Sequence, residues 1–409
     1  MSDPRNPNIK NRTTPQWSLY QREAFWGANE GKYPLFNTGM NDHNGTPNVE
    51  GLTKIRSGRS REIGQGKTLT GWLAFYRHRI IPRMLVDTNT RDTATEIFGH
   101  KVSAPIGFAP IGINRIYHPT GELSVAKVAQ ELNLAYSLSS AGSYSIEDVG
   151  KANGDGPRFF QLYQSHDDEV CISMLQRAFD SGYDVCMVTT DTWSLGWRHN
   201  DVFTGNYAFY HDHGAGDLGL QDPVFQKRLK EAGIDPKKNP KEAGAKWIDE
   251  HIWHGRAHTW EKIKWTMEQW KRISGGRPFC LKGIQSVEDA KKAVEIQVDG
   301  AVASLDMLEQ IVDAVGDKTY IMFDSGVRSA SDVFKALALG AKFVFIGRLW
   351  VWALSIAGEH GVRHMLKSLL AEFDILMEVA GFQSIEQIDR TAIFSLPNSS
   401  NLIAEHTQI

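Results

Sequence analysis

Residues 320–348 read YIMFDSGVRSASDVFKALALGAKFVFIGR. Two short apolar runs, 320–324 and 343–347, flank an amphipathic stretch, SDVFKALAL at 331–339. Runs of this length bounded by polar turns read as strands buried on both faces. The stretch between them reads as a helix with Ser331 as its N-cap and Gly340 as its stop. One β-α-β unit is therefore legible, and the same texture recurs upstream.

Working outward, six more runs fit the strand pattern. They are PIGFAP (105–110), AYSLS (135–139), FFQLY (159–163), VCMVTTD (185–191), PFCLK (278–282) and GAVAS (300–304). Amphipathic stretches separate them, among them SVEDAKKAV (286–294), where Ser286 and Asp289 have capping-box spacing. Eight strands alternating with helices predict a (β/α)8 TIM barrel. The rival is a doubly wound open sheet, weakened because no G-x-G-x-x-G follows the first strand. The expected organisation is an irregular N-terminal arm over 1–100, a barrel over 101–390 and a tail over 391–409. Residues 199–276, with five Trp, interrupt the period after the fourth strand and read as a long lid insertion.

Composition narrows the function. The 409 residues carry 45 Lys and Arg against 48 Asp and Glu, a net charge of −3, which excludes a strongly basic nucleic-acid binder. No apolar run approaches the roughly 20 residues of a membrane span. MSDPRNPNIKNR is polar and has no apolar run of the kind a signal peptide carries, so none is expected. Three cysteines, Cys171, Cys186 and Cys280, cannot staple a chain this long and fit a reducing, cytoplasmic setting. No metal site is read from the sequence.

Barrel chemistry gathers where strands end. Here those positions hold Gln161 and Tyr163, Thr189 and Asp191 with Arg198 behind, Lys282, Asp324 with Gly326 and Arg328, and Gly347 with Arg348. Capping alone does not call for a lysine, two aspartates and three arginines on one rim. D-S-G-V-R and I-G-R follow the last two strands, where glycine lets backbone amides approach a phosphate and arginine supplies a fork. Lys282 is either a Schiff-base lysine or a fixed cation beside an electron-rich cofactor.

These residues carry a resemblance. PIGFAPIG (105–112), RFFQLY (158–163), TTDTWSLGWR (189–198), LKGI (281–284), FDSGVR (323–328), DVFKALALGA (332–341) and IGR (346–348) resemble the FMN-dependent α-hydroxy acid oxidases and dehydrogenases. DPVFQK (222–227) and WHGRAHTW (253–260) are most similar to the lactate 2-monooxygenase branch. The resemblance covers roughly residues 75–390. It implies a flavoprotein oxidoreductase that oxidises a small L-2-hydroxy acid, lactate-like, with O2 as acceptor, assembled as a homo-oligomer, commonly a tetramer. Ala109, Pro110, Ile111 and Gly112, with Ser139, Gln161 and Thr189, would hold the FMN ring. Lys282 would lie beside the ring and stabilise its reduced form. Gly326, Arg328, Gly347 and Arg348, with Asp324 nearby, would bind the phosphate. Arg198 would pair with the substrate carboxylate, Tyr163 would hydrogen-bond the substrate, and Asp191 would orient the catalytic histidine.

That histidine is missing. The family places it after the sixth strand in a motif like S-N-H-G/A-G-R-Q, which also supplies a second arginine. This chain reads VDGAVASLDMLEQI at 298–311, without His or Arg. Residues 50–71 likewise do not match the family's tyrosine-bearing segment. His199, His254 and His258 are available in the sequence, but each reads more naturally as solvated or packed. The expectation is an enzyme of doubtful competence; the alternatives are an inactive FMN-binding protein and a mis-spliced product. With no loop between the sixth strand and its helix, that helix is expected to unwind at its start.

Overall fold

The protein is described by a computed structural model. The structure describes Trp17, Tyr20, residues 74–194, Gly196, Gly214 and residues 216–396. Eight parallel strands close a barrel: β4 (Ile106–Phe108), β5 (Ala135–Ser139), β6 (Arg158–Leu162), β7 (Val185–Thr189), β8 (Phe279–Lys282), β9 (Gly300–Ala303), β10 (Tyr320–Asp324) and β11 (Phe343–Ile346). Ring closure runs through β11 and β4, with Val344 opposite Ile106 and Ile346 opposite Phe108. The strands are apolar on both faces because both faces are covered. The outward side chains meet a ring of helices and the inward ones meet each other.

The helices start where the sequence supplies caps. In α1 (Gly121–Glu131) and α2 (Ile146–Asn153) only the second has a side-chain cap, Ser145 accepting from the Asp148 N–H. Asp167 caps α3 (Asp168–Asp180), and Ser286 caps α8 (Val287–Glu295), accepting from Asp289 N–H at 3.0 Å. The expected N-cap of α10 (Ala330–Ala338) shifts. Ser329, not Ser331, occupies it, and Gly340, with φ +103°, lies two residues past the last helical one.

Three pairings outside the ring were not anticipated. β2 (Thr95–Ile97) and β3 (His100–Val102) form a hairpin through Phe98 and Gly99, both with positive φ. Ile97, Val102 and Phe98 join the inward cluster of Ala135, Phe159, Val185, Met187, Cys280, Val302, Met322, Phe343 and Phe345. The hairpin thus plugs the end of the barrel where strands begin. β1 (His78–Ile80) pairs antiparallel with β12 (Ile393–Ser395), so the arm and the tail meet. Arg91 is buried against α11 (Arg348–Ala380), its Nε 2.7 Å from Asp374 Oδ1. That helix breaks at Ala357 and Gly358, so a short first segment precedes the long one.

The segment after β7 is partly described. It contains α4 (Asp217–Leu220), α5 (Pro223–Glu231), α6 (Pro240–Trp247), a π-helical turn at Ile248–Ile252 and α7 (Trp260–Ser274). The DPVFQK run is a helix start: buried Asp222 accepts from the N–H groups of Val224 and Phe225 at 3.0 Å, with Pro223 in the first turn. The same carboxylate takes bonds from Ser173 and Arg177 of α3, fastening the excursion to the barrel wall. The end of the excursion, α7, packs on α3 and β8.

Candidate active site

Strand geometry alone selects the residues that face the barrel axis. Side chains alternate between faces with period two. Along β7 the inward set is Val185, Met187 and Thr189; along β8 it is Cys280 and Lys282; along β10 it is Tyr320, Met322 and Asp324. The same parity carries Phe159 to Gln161 and Ala135 to Ser139. Five of the eight strands, β5 to β8 and β10, therefore each bring one polar residue to the open rim, above the closed lower barrel.

Those polar residues find each other. Ser139 Oγ donates to Gln161 Oε1 at 2.9 Å, and Gln161 Nε2 donates to Thr189 Oγ1 at 2.7 Å. All three are buried, so a chain of hydrogen bonds crosses three adjacent strands and fixes the amide's orientation. Across the rim Lys282 Nζ lies 2.8 Å from Asp324 Oδ2. Burial works against the Lys282 ammonium, but Asp324 and then Asp191 outweigh it and hold its pKa above the ordinary lysine range. A lysine ion-paired in this way suits the fixed-cation reading, not the Schiff-base one, which needs a neutral amine. Asp191 is pressed on Gly283, where a Cβ would lie 2.7 Å from the Asp191 Cγ. Gly283 has φ +99°, so both the backbone and the close approach require glycine.

The β10 and β11 ends form the second half of the site. Ser325 and Gly326 both have positive φ, a tight turn in which Ser325 is the strained member. Arg328 is turned toward Asp332, which is 1% exposed: its Nε lies 3.0 Å from Asp332 Oδ2 and its backbone N–H donates to the same oxygen. Arg348 differs. It is half-buried at the first turn of α11, behind Gly347, and among the described residues it has no ion pair. Burial alone pulls its pKa below the ordinary arginine value. A guanidinium paying desolvation with no carboxylate beside it, at a helix start with no side-chain cap, is a fit for a phosphate. Ala109 N–H donates to Ile346 O at 2.9 Å, which brings the Ala109–Gly112 segment beside this corner. Gly112 lies so close to Ala141 that a Cβ would meet its carbonyl at 2.9 Å.

Tyr163 sits past the end of β6, its N–H bonded to Ser140 Oγ at 2.8 Å and its ring 5.9 Å from that of Trp253. Beside it, His254 Nε2 is 3.0 Å from Gln164 O, and Gly255 N–H donates to Trp193 O. The excursion is thus laid against the ends of β6 and β7. Arg198 and His199 lie outside the described residues. After β9 a single residue, Ser304, precedes α9 (Leu305–Val315). Contrary to the expectation, the helix does not unwind: Ser304 is extended, helix begins at Leu305, and the Ser304 hydroxyl donates to Gln285 Oε1 at 2.5 Å.

Sequence reasoning missed Ser140, Gly283 and Trp253, which shape the rim, and His166, which the fold brings to His254 and His258. The signal for Gly283 was the glycine directly after Lys282; His166 carries none, because its partners are some 90 residues away.

Known proteins are similar to this chain in sequence and fold. An FMN-dependent alpha-hydroxy acid dehydrogenase of Penicillium citrinum is 39% identical over 331 residues, 78% of this chain and 80% of its own. An L-lactate oxidase of Lysinibacillus sphaericus is 34% identical over 345 residues, covering 81% and 85%. A crystal structure of mandelate oxidase superposes with a TM-score of 0.68 at 28% identity, covering 85% of this chain and 94% of that one. The family model described as FMN-dependent dehydrogenase matches residues 60–395, and the chain belongs to that family.

Proposed function

We propose that the chain holds FMN on the open rim and oxidises a small L-2-hydroxy acid of lactate size. The observation that carries this reading is the pairing of a half-buried Arg348, without an ion pair among the described residues, at one end of the rim with the half-buried cation Lys282 at the other. Relatives named for lactate and 2-hydroxy acids support the substrate class. When bound, FMN supplies the acceptor for two electrons. Arg348 and the amides near Gly326 and Gly347 bind the phosphate. Ser139, Gln161 and Thr189 present a fixed row of donors and acceptors to the ring. Lys282, paired with Asp324, would place a positive charge beside the ring. Tyr163 would hydrogen-bond the substrate and Arg198 would pair with its carboxylate, with O2 as the acceptor.

Oxidation of a 2-hydroxy acid to a 2-oxo acid removes two electrons and two protons, and a base must take a proton at the substrate. Family likeness puts that base, with a second arginine, after β9, where this chain has only Ser304. Loss of a general base costs about 10²–10⁴ in rate. The one-residue link therefore favours a second reading, an FMN-binding protein with little or no turnover, whose coding sequence has lost a segment at this point. The buried, unpaired cysteines support a reducing, cytoplasmic compartment. Exposed Met84 and Leu85 support a homo-oligomer, a tetramer by likeness.

One visible spectrum under nitrogen separates the readings. An active enzyme is yellow and bleaches with L-lactate; a binding protein is yellow and does not. A colourless full-length protein that takes up no added FMN refutes both.

A further inference from the structure

The excursion carries a cluster that FMN chemistry does not use. His166 follows β6, while His254 and His258 come from the excursion, and one ring nitrogen of each lies within 4.8 Å of the other two. The rings crowd together: centroids are 4.4 Å apart for His166 and His254, 5.2 Å for His166 and His258, and 5.1 Å for His254 and His258. Among the described residues His258 Nδ1 is buried with no hydrogen-bond partner. His254 donates through Nε2 to Gln164 O and accepts at Nδ1 from Arg256 N–H, and His166 Nε2 is 3.4 Å from Arg256 O. Ordinary packing of three imidazoles would satisfy each ring; this arrangement leaves a buried nitrogen unsatisfied beside two others.

We propose that His166, His254 and His258 form a binding site for a divalent d-block cation, with Zn2+ the best fit. Three neutral imidazoles and a solvent molecule make the tetrahedral set this ion prefers, and among the described residues no carboxylate joins the group to favour Mg2+ or Ca2+. Zn–N bonds of about 2.0–2.1 Å set ligand nitrogens roughly 3.3 Å apart. The present separations, all within 4.8 Å, must contract by at most about 1.5 Å. All three rings are half-buried and borne on connecting segments, where rotation about the side-chain torsions supplies that movement. His254 would exchange the Arg256 bond for the metal while keeping its Nε2–H on Gln164, a backing that fixes the ring as second partners of zinc histidines do.

The site joins two parts of the chain. His166 lies three residues beyond Tyr163, and His254 follows Trp253, which packs on Tyr163. A bound ion would pin the excursion to the end of β6 and so brace the wall on which Tyr163 stands.

The test titrates ZnCl2 and CoCl2 into the chelator-stripped full-length protein, in the flavin state in which it purifies. One equivalent binds, Co2+ shows the intense d–d bands of a tetrahedral site, and Zn2+ raises the Tm. Partner groups behind a ligand are already worth 10–100-fold in affinity, so H166A and H258A should each weaken Zn2+ binding by at least about 100-fold. H360A, an exposed histidine elsewhere, leaves it unchanged. Should a variant not fold, diethyl pyrocarbonate footprinting of the native chain decides: Zn2+ protects His166, His254 and His258 but not His360. No saturable binding below millimolar Zn2+, or binding and protection indifferent to these three residues, overturns the proposal.

Discussion

Arg348 offers the sharpest test, because its removal should act with opposite signs with and without FMN. In the flavin-free chain its guanidinium is half-buried, and burial alone lowers its pKa, with no ion pair among the described residues to compensate. R348M keeps much of the apolar stem and discards the disfavoured charge, so the Tm of the FMN-free protein should hold or rise slightly. With FMN the balance reverses. Charge-assisted bonds to a phosphate contribute about 1.5–3 kcal/mol, which weakens the FMN Kd by roughly 10- to 150-fold when they are lost. At FMN near 100 times the native Kd, binding stabilises the native chain by about 2.7 kcal/mol; a 30-fold weaker Kd leaves about 0.9 kcal/mol. Quenching of flavin fluorescence gives the Kd, and melts with and without FMN give the two stabilities. R328M is the contrast. Arg328 is bound to buried Asp332, so its loss should cost about 2 kcal/mol in both states. An R348M protein that binds FMN with the native Kd, or whose flavin-free Tm falls as far as that of R328M, would refute the assignment.

Other expectations are as direct. Q161L breaks both bonds of the Ser139–Gln161–Thr189 chain and should cost about 2 kcal/mol and shift the visible spectrum of bound FMN; an unchanged urea midpoint and spectrum would count against that role. Inserting S-N-H-G-G-R-Q after Ala303 should raise L-lactate turnover by about 10²-fold or more, and equal stopped-flow bleaching rates in the two proteins would sink the loss account. Burial first, and for His78 then neighbouring Arg77, lowers the pKa of His78 and His251 to about 4 from an ordinary 6.5. Both are neutral when folded and protonate on unfolding, so stability is full above pH 6.5 and falls toward pH 4. The slope approaches about 1.4 kcal/mol per pH unit for each histidine, and a Tm flat from pH 6.5 to 4.5 would contradict it.

The barrel was legible because buried parallel strands are apolar without interruption. AYSLS and YIMFD match their strands residue for residue, and the other six differ only at the ends. The rim was legible for a related reason: a polar residue ending an apolar run must face something polar, which picked out Gln161, Thr189, Lys282 and Asp324. The plug hairpin was not, because its strands are three residues long and their burial comes from the barrel interior, not from any local pattern. The β1–β12 pairing and the Arg91–Asp374 bond join residues nearly 300 or more apart, beyond any periodicity. That Arg328 turns to Asp332 while Arg348 has no ion pair among the described residues could not be read from two similar glycine-arginine turns.

The parity of the strands has one more consequence. A residue added or removed inside β7 or β8 would turn the rim inside out, exchanging Thr189 or Lys282 for a neighbour that faces the helices. Residues added or removed beyond the last ladder pair change nothing in the ring. β9 shows this: Leu281 stays opposite Ala301, and Val302 opposite Met322, although only Ser304 separates the strand from its helix. The ring is blind to the length of the loops that leave its strands. A change of reactivity made in such a loop would leave the ladder of the ring in place. Natural selection acting on foldability alone would not notice the difference.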